Sequence, residues 1–391
     1  MTYKILIVLI PPFDPNAGGV QRSTYKISSY FKRHGHQTHV YSYQEEGHAE
    51  QDVAELHTAS LPGRHKTQAN NSKLQQLIID IKPDVVINQM PYEIEIGKAL
   101  ASIHKKQKFL LLSCLRNTLF VVKLNVESYL KVVVPKALQP FLNNQVGRKF
   151  ILNKHVSKHA KDLKYILDTY DYFVMFGPPN MEELKYFVGD YKINKTHLIP
   201  NSILSVEPSI PKKEKRILWL SRVTYNQKRA DLILPFWKKI MNDLPDWQLD
   251  IVGDGDAFDD VQHQIETEQI PRVTMYGKQT PYKYYSRAPI YIMTSAFEGF
   301  PNTLIEAQSY GCIPVLYDSY PVCSWVVKNG ENGILIPPFN IDKMADEIAK
   351  LAKDQKKQKK MMQSSLERAR DFHLDNVGKL WIDFFDRELL N

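Results

Sequence analysis

Short apolar runs alternate with amphipathic segments through the second half of the chain, and this alternation strongly constrains the fold. Six runs rich in aliphatic and β-branched side chains predict buried strands at 216–221, 247–253, 272–277, 289–294, 313–317 and 333–336. A helix-like segment follows each run. Strands that alternate with helices form a parallel sheet with right-handed crossovers. We therefore expect an α/β, doubly wound domain here.

The first half of the chain shows the same alternation less regularly. Apolar runs predict strands at 3–9, 38–41, 84–89, 108–114 and 170–176. The polar stretch 44–70 is predicted to be a loop or a mobile acceptor-side segment, and 119–168 a basic helical insertion. A chain of 391 residues exceeds a single hydrophobic core. We expect an N-terminal domain (1–204), a linker (205–215), a C-terminal domain (216–374) and a helix (375–391) that crosses back to the first domain.

Charge and cysteine content limit the classes of function. The net charge of +8 indicates an anionic partner, which leaves nucleic acid, an anionic membrane and a phosphorylated substrate open. No nucleic-acid recognition module is evident, so we expect no nucleic-acid partner. Cys114, Cys312 and Cys323 show no CxxC spacing, which argues for a reducing compartment and against both a disulfide framework and a zinc site. No apolar run reaches the roughly 20 residues of a membrane span, so we expect a cytoplasmic protein.

One loop of the second half carries two carboxylates in a specific setting. It follows the strand 289–294 and runs from Glu298 to Glu306, at the strand end where open α/β sheets bind ligands. Gly299 permits close backbone approach, and Pro301 and Asn302 suit a helix start with free N–H groups. Two carboxylates beside such amides can bind the hydroxyls of a polyol. The alternative is a capping box of Thr303 and Glu306.

This string, Glu-Gly-Phe-Pro-Asn-Thr-Leu-Ile-Glu, resembles the signature of family 4 retaining glycosyltransferases of the bacterial surface-polysaccharide type. The resemblance implies the GT-B fold, in which two Rossmann-like doubly wound domains face each other across a cleft. It also implies that Glu298 and the following amides hold the donor sugar, while Glu306 holds the ribose of the nucleotide. The implied donor-binding residues of this string are Gly299, Phe300, Pro301, Asn302, Thr303 and Glu306.

Two cations lie in the loop after the first strand of this domain. Arg222 and Lys228 can place a planar fork and a point charge on one diphosphate. They resemble the Arg and Lys that hold the donor phosphates in the family, although Arg229 stands where the family has glycine. The alternative is a pair of solvated loop-end charges. Lys278 and Gln279 lie where the family offers backbone groups to the nucleobase.

The first half carries two further candidate sites. Gly18 and Gly19 precede a predicted helix, which makes an anion site or a plain turn. They also resemble the family loop in which a glycine amide faces the diphosphate. After the strand 108–114, many family members have a histidine near the reacting sugar, whereas this chain has Arg116 and Asn117. We expect Arg116 and Asn117 to contact phosphate or acceptor hydroxyls, with the alternative that Arg116 is a solvated tip.

The stretch 119–168 interleaves apolar and aromatic side chains with lysines and arginine. This composition suits contact with an anionic membrane or a lipid-linked acceptor, and the alternative is a solvated helix face. On this basis we expect a peripheral position on the inner face of the plasma membrane.

The sequence thus predicts a retaining transfer of a hexose or N-acetylhexosamine from a nucleotide-sugar, with UDP preferred, to a lipid-linked or polysaccharide-precursor acceptor. Glu298, Arg222 and Lys228 are the predicted catalytic residues. We expect no cofactor and no metal, because the spacing Asp254-Gly255-Asp256 is embedded in a glycine turn. Two alternatives are a non-catalytic GT-B subunit that binds saccharide or a partner enzyme, and an epimerase or phosphorylase on the same fold.

Overall fold

Two parallel β-sheets with flanking helices organise the chain in a computed structural model that describes residues 1–15, 18–44, 53–59, 67–204 and 212–390. The strands of the first sheet are β1 (Lys4–Leu9), β2 (Gln37–Ser42), β3 (Glu55–Thr58), β4 (Val85–Asn88), β5 (Leu110–Cys114), β6 (Tyr172–Met175) and β7 (Thr196–Leu198). Those of the second are β8 (Arg216–Leu220), β9 (Gln248–Val252), β10 (Val273–Met275), β11 (Ile290–Met293), β12 (Ile313–Tyr317) and β13 (Ile334–Ile336).

The helices of the first half, up to β7, include a group between β5 and β6 that interrupts the strand–helix alternation. They are α1 (Gly19–Arg33), α2 (Gln68–Ile81), α3 (Ile94–His104), α4 (Val121–Leu124), α5 (Val126–Val133), α6 (Gln139–Leu142), α7 (Gln145–Thr169) and α8 (Pro178–Val188). The later helices are α9 (Ile233–Ile240), α10 (Phe258–Thr267), α11 (Tyr282–Arg287), α12 (Asn302–Ser309), α13 (Cys323–Val326), α14 (Ile341–Lys353), α15 (Gln355–Arg370) and α16 (Leu374–Leu390). No helix in the described ranges is both long and apolar enough to cross a bilayer.

Both sheets have the strand order of a doubly wound fold. The first runs β3-β2-β1-β4-β5-β6-β7 and the second β10-β9-β8-β11-β12-β13, with parallel pairing in each. The order reverses beside β1 in the first sheet and beside β8 in the second, and ligands bind at such switch points. The predicted α/β, doubly wound fold is confirmed.

The chain divides into two compact units. The first contains Met1–Leu119, Gln145–Ile203 and His373–Asn391, and the second contains Phe120–Asn144 and Leu204–Phe372. The predicted division differs mainly at 120–144, which it assigned to the N-terminal domain. It also placed residue 204 in the first domain and residues 373–374 in the second. Residues 205–211 of the predicted linker lie outside the described residues.

The described end of the predicted linker is anchored in the second unit. The Lys213 ammonium donates to the carbonyls of Tyr285 and Tyr310 at 2.8 and 2.7 Å. Glu214 accepts two hydrogen bonds from Arg287, at 2.7 and 2.8 Å. Residues 212–215 are therefore part of a folded unit and not a free connector.

Each unit has its own core, because parallel strands covered by helices are buried on both faces. Helix α16 belongs to the first unit, where Val377, Trp381 and Phe385 enter the same cluster as the side chains of β1. Its polar residues also contact the first unit, since the Tyr172 hydroxyl donates to Glu388 at 2.6 Å. The second core is built around Trp219 and the helices on either side of its sheet.

The stretch 44–70 differs from the prediction. It was expected to be a loop, but residues 55–58 form β3 and helix α2 already begins at Gln68. The remaining parts, 45–52 and 60–66, lie outside the described residues. The prediction is wrong for β3 because Glu-Leu-His-Thr contains one apolar side chain, and a four-residue edge strand carries too little periodicity to detect.

The contact between α1 and α16 leaves no room for a side chain at Gly378. An ideal Cβ there would lie 2.4 Å from the ring of Tyr30, which is buried. We predict that Gly378→Ala lowers the thermal midpoint, because overpacking costs about 1–3 kcal/mol. The gain in helix propensity of up to about 1 kcal/mol offsets only part of this cost.

Gly97→Ala in α3 is the matched control. An ideal Cβ at Gly97 would meet the Tyr170 hydroxyl oxygen at 3.6 Å, an ordinary contact. Thermal unfolding of the full chain should therefore show a lower midpoint for Gly378→Ala and no loss for Gly97→Ala. Equal midpoints in the two variants would contradict the packing of α16 on α1.

Candidate active site

The loops after β8 and β11 are held together because these strands are parallel neighbours. The Ala296 N–H donates to the carbonyl of Gln227 at 2.8 Å, and the Thr294 hydroxyl donates to the carbonyl of Lys228 at 2.6 Å. The indole N–H of Trp219, in β8, donates to the same hydroxyl at 2.9 Å. Backbone and core contacts thus fix both loops at the carboxyl edge of the sheet, where doubly wound folds bind ligands.

A buried ion pair joins the two loops. The Lys228 ammonium contacts the Glu298 carboxylate, and their side chains are 11% and 9% exposed. The Ser295 hydroxyl donates to Oε1 of Glu298 at 2.7 Å, and the Gln227 amide donates to Oε2 at 3.2 Å. Removing one partner of a buried ion pair costs about 3–5 kcal/mol, because the other charge is left poorly solvated. The structure therefore brings two of the predicted catalytic residues into one contact.

Arg222 reaches the same cluster through Gln227. Its guanidinium donates to the amide oxygen of Gln227 at 3.0 Å, and the Gln227 nitrogen also donates to the carbonyl of Phe297 at 3.1 Å. Arg222 is exposed, whereas Lys228 is buried. The alternative of two solvated loop-end charges is therefore wrong for Lys228.

Arg229 adopts a backbone conformation that favours glycine, with φ of 51°. Its guanidinium pairs with Asp231 at 2.8 and 2.9 Å and lies 4.7 Å from the ring centroid of Phe339. These contacts compensate part of the cost of the left-handed backbone at a position where the family resemblance expects glycine.

The second carboxylate of the motif is also buried. Glu306 lies in the second turn of α12, and the Tyr285 hydroxyl donates to it at 3.4 Å. The helix begins at Asn302 after Pro301, and no side chain caps it. Thr303 lies inside the helix, and its hydroxyl is 2.9 Å from that of Tyr291. The alternative of a capping box is therefore wrong.

The charges of both carboxylates act on the hydroxyl of Tyr291. Burial raises the pKa of its hydroxyl, and the charges of Glu298 and Glu306 raise this pKa further. Both carboxylates thus lie within electrostatic range of one tyrosine, whose hydroxyl also donates to the carbonyl of Leu220 at 3.2 Å.

Gly299 and Phe300 are both buried. The Phe300 ring packs edge-on against Phe372 and Trp325, with centroid distances of 5.7 and 6.4 Å. Its side chain is therefore a packing element, and the predicted contact of this segment with a donor sugar would come from its backbone.

The glycine turn after β9 supports the cation loop. An ideal Cβ at Gly253, whose φ is 140°, would lie 1.7 Å from the carbonyl oxygen of Ser221. One at Gly255 would lie 2.4 Å from the carbonyl oxygen of Val223. The interpretation of these glycines as tight-turn residues is confirmed. The turn packs against the backbone on both sides of Arg222.

Lys278 and Gln279 follow β10 and are exposed. The Gln279 amide donates to the carbonyl of Tyr276 at 3.0 Å. The neighbouring Gly277 accepts a hydrogen bond from the N–H of Gly253 at 2.8 Å, so this loop is tied to the glycine turn. Their predicted role toward the nucleobase stays a prediction.

The glycine pair of the first unit lies at the start of α1. Gly18 precedes the helix with an extended backbone, and Gly19 is its first residue. An ideal Cβ at Gly18 would meet only the flexible side chain of Gln21, at 2.9 Å. Residues 16 and 17 of this predicted loop lie outside the described residues.

Arg116 is not a solvated tip. Its guanidinium donates to the amide oxygen of Asn201 at 3.1 Å, and its Nε atom is buried. It lines a cavity of about 20 Å³ with Gln89 and Asn201, and burial lowers the pKa of the guanidinium. Asn117 has a local role, since its amide oxygen accepts from the N–H of Thr118 at 2.9 Å.

Four residues of the site were not predicted from sequence: Gln227, Ser295, Tyr285 and Tyr291. Gln227 and Ser295 lie beside predicted residues, and their polarity within a ligand loop was the available signal. The two tyrosines resemble ordinary core aromatics in sequence. Only the packing of α11, β11 and α12 brings their hydroxyls to the motif.

Two family comparisons match most of the chain. The family described as "Glycosyl transferases group 1" matches residues 200–368, and "Glycosyltransferase Family 4" matches residues 17–112. Together these matches include every predicted donor-site residue from Gly18 to Glu306.

Curated relatives are similar over part of their length. The poly(glycerol-phosphate) alpha-glucosyltransferase of Bacillus subtilis is 25% identical over 51% of this chain, and the match spans 30% of that protein. The lipopolysaccharide 1,6-galactosyltransferase of Salmonella typhimurium is 34% identical over 37% of this chain and 42% of its own. The chain thus spans less than half of either relative.

Solved structures match over the full chain. The Anabaena protein Alr3699/HepE, in complex with UDP and glucose, has a TM-score of 0.72 at 15% identity. This match covers 98% of the present chain and 100% of the other. At this identity the likeness concerns the fold. The family matches, the fold and the relatives agree, and the chain belongs to the group 1, family 4 glycosyltransferases of the GT-B fold.

Proposed function

We propose that this glycosyltransferase moves a hexose or N-acetylhexosamine from a UDP-sugar to a lipid-linked or polysaccharide-precursor acceptor, with retention of anomeric configuration. The observation that carries the proposal is the buried Lys228–Glu298 pair beside Arg222 at the carboxyl edge of β8 and β11. A diphosphate can bind the two cations, while the hydroxyls of a sugar can donate to the carboxylate.

The names of similar proteins support the choice of substrates. One relative is a galactosyltransferase of lipopolysaccharide and another a glucosyltransferase of poly(glycerol-phosphate). A structural neighbour was solved with UDP and glucose. These proteins favour UDP as the nucleotide and a surface polymer or its precursor as the acceptor.

The proposed reaction exchanges two bonds at one carbon. The bond between the anomeric carbon and the diphosphate oxygen breaks, and a bond to the acceptor hydroxyl oxygen forms on the same face of the sugar. The acceptor proton passes to the leaving phosphate, so that the products are UDP and the glycoside. Arg222 and Lys228 stabilise the negative charge that develops on the leaving group, which is a large term in catalysis.

Glu298 and Glu306 have different proposed roles. Glu298 orients the sugar by accepting hydrogen bonds from its hydroxyls, and it is not required as a nucleophile. Glu306 accepts hydrogen bonds from the ribose. We further propose that no metal is needed, because fixed cations and the amides at the start of α12 can stabilise a leaving diphosphate.

We also propose that the protein contacts a membrane surface. In the second unit, Leu138 and Phe141 are exposed near exposed Lys131 and Lys136, and Phe141 is 74% exposed. In the first unit, Phe150 of α7 is 63% exposed beside the exposed Lys149. Apolar side chains among lysines suit the surface of an anionic leaflet, where lipid-linked acceptors reside.

A nucleotide screen tests the reaction. We expect UDP to raise the thermal midpoint of the purified protein more than GDP does. We also expect slow release of UDP from one of UDP-glucose, UDP-galactose and their N-acetylhexosamine analogues, at equal rates with and without EDTA. Glu298→Gln should bind UDP with an affinity within a few-fold of that of the wild type. It should nevertheless cleave UDP from the sugar donor about 100-fold more slowly, as expected when a transition-state contact is lost.

The outcomes separate the candidate functions. Binding of UDP without turnover of any donor, even with polyprenyl-linked acceptors, would favour the non-catalytic subunit. Dependence of turnover on an added divalent cation would overturn the metal-independent mechanism. Glu268→Gln, which removes the carboxylate of the exposed Lys238–Glu268 pair in the same unit, is the matched control and should retain full activity.

Vesicle binding tests the membrane proposal. Phe141→Ser and Phe150→Ser should each weaken cosedimentation with phosphatidylglycerol vesicles by about tenfold, since burial of one such side chain contributes about 1.5–3 kcal/mol. Leu380→Ser, in the acidic helix α16, is the control and should bind as wild type does. Equal binding by all three variants, or no binding by the wild type, would contradict membrane contact.

A further inference from the structure

A cluster of two histidines and one glutamate lies at the edge of the first sheet. His39 is in β2, while Glu55 and His57 are in the edge strand β3. The register pairs His39 with Glu55, and side chains two apart on a strand share a face. The three side chains therefore converge on one face of a two-strand ribbon.

The spacing of their ligand atoms fits a metal ion. His39 Nδ1 lies 3.2 Å from His57 Nε2 and 3.5 Å from Glu55 Oε2, and His57 Nε2 lies 3.7 Å from Glu55 Oε1. Zinc binds nitrogen and carboxylate oxygen at about 2.0–2.2 Å, so the edges of its ligand tetrahedron measure roughly 3.3–3.6 Å. Within the described ranges, no other such group of three His, Cys, Asp or Glu residues converges this closely.

We propose that His39, Glu55 and His57 bind a divalent transition metal ion of the zinc class, which clamps the edge strand β3 to β2. Two imidazoles and a carboxylate suit Zn²⁺, Co²⁺ or Ni²⁺, whereas Mg²⁺ and Ca²⁺ prefer oxygen ligands alone. Water completes the coordination on the solvent side, where the Glu55 side chain is 66% exposed.

The sheet presents both imidazoles to one point. A neutral imidazole binds a metal ion through a nitrogen lone pair, and two such nitrogens lie 3.2 Å apart here. The histidine side chains are 10% and 18% exposed, so each is held in place by the sheet and not freely solvated.

The role assigned to this ion is structural. β3 is short and pairs only with β2 among the described strands, and a bound ion adds a link between the two strands that backbone pairing lacks. The ion belongs to the first unit and shares no ligand with the donor residues of the second unit. The proposed ion therefore takes no part in the sugar transfer proposed above.

Metal titration of the full chain, without a histidine tag and after chelator treatment, tests the site. Isothermal titration with Zn²⁺ should show one ion per chain, and Co²⁺ should give the visible absorption bands of a low-symmetry site. Glu55→Gln, at an exposed position that folding tolerates, and His57→Ala should each weaken Zn²⁺ binding at least tenfold. Zn²⁺ should also raise the thermal midpoint of the wild type but not of these variants.

His263→Ala, which removes an exposed histidine of α10 in the second unit, is the matched control and should bind Zn²⁺ as wild type does. Absence of a stoichiometric Zn²⁺ site would overturn the proposal and leave a hydrogen-bonded histidine pair capped by a carboxylate. Unchanged binding in Glu55→Gln and His57→Ala would overturn it equally.

Discussion

The buried contact between Lys228 and Glu298 is the interaction on which the candidate site depends. Neither charge is well solvated, so each needs a partner in every state of the site. A nucleotide-sugar is a ligand class that can supply both partners at once, because its diphosphate is anionic and its sugar offers hydroxyl donors. In the proposed transfer, Lys228 binds the leaving diphosphate and Glu298 binds the hydroxyls of the sugar.

The surrounding structure serves to hold this contact in place. Parallel pairing of β8 and β11 sets the two loops side by side, and Ser295 and Gln227 bind the carboxylate from either side. The turn at Gly253 packs directly against the backbone carbonyl of Ser221, just before Arg222. Only a residue without a Cβ can approach this closely. Strand pairing, two hydrogen bonds and one glycine position thus fix the polar atoms of the site at this sheet edge.

The alternation of apolar runs was sufficient to predict the second sheet and five of the seven strands of the first, since buried strands carry a strong pattern. It missed the short strands β3 and β7. The Glu298 string and the two cations were also visible as motifs. The contact between Lys228 and Glu298 was not, because these residues are 70 positions apart and meet only through the strand order. β3 and the cluster at His39 escaped detection for a related reason: a four-residue edge strand has little pattern, and its register appears only in the folded sheet.

The direct test of the site is the UDP affinity of Lys228→Ala, Glu298→Gln and the double variant, measured by isothermal titration. Lys228→Ala should weaken UDP binding about 10–100-fold, because it removes a cation and leaves a buried carboxylate that repels the diphosphate. Glu298→Gln removes that repulsion, so the double variant should bind UDP several-fold more tightly than Lys228→Ala. Strictly additive losses, with the double variant weakest, would contradict a buried Lys228–Glu298 pair at the donor site.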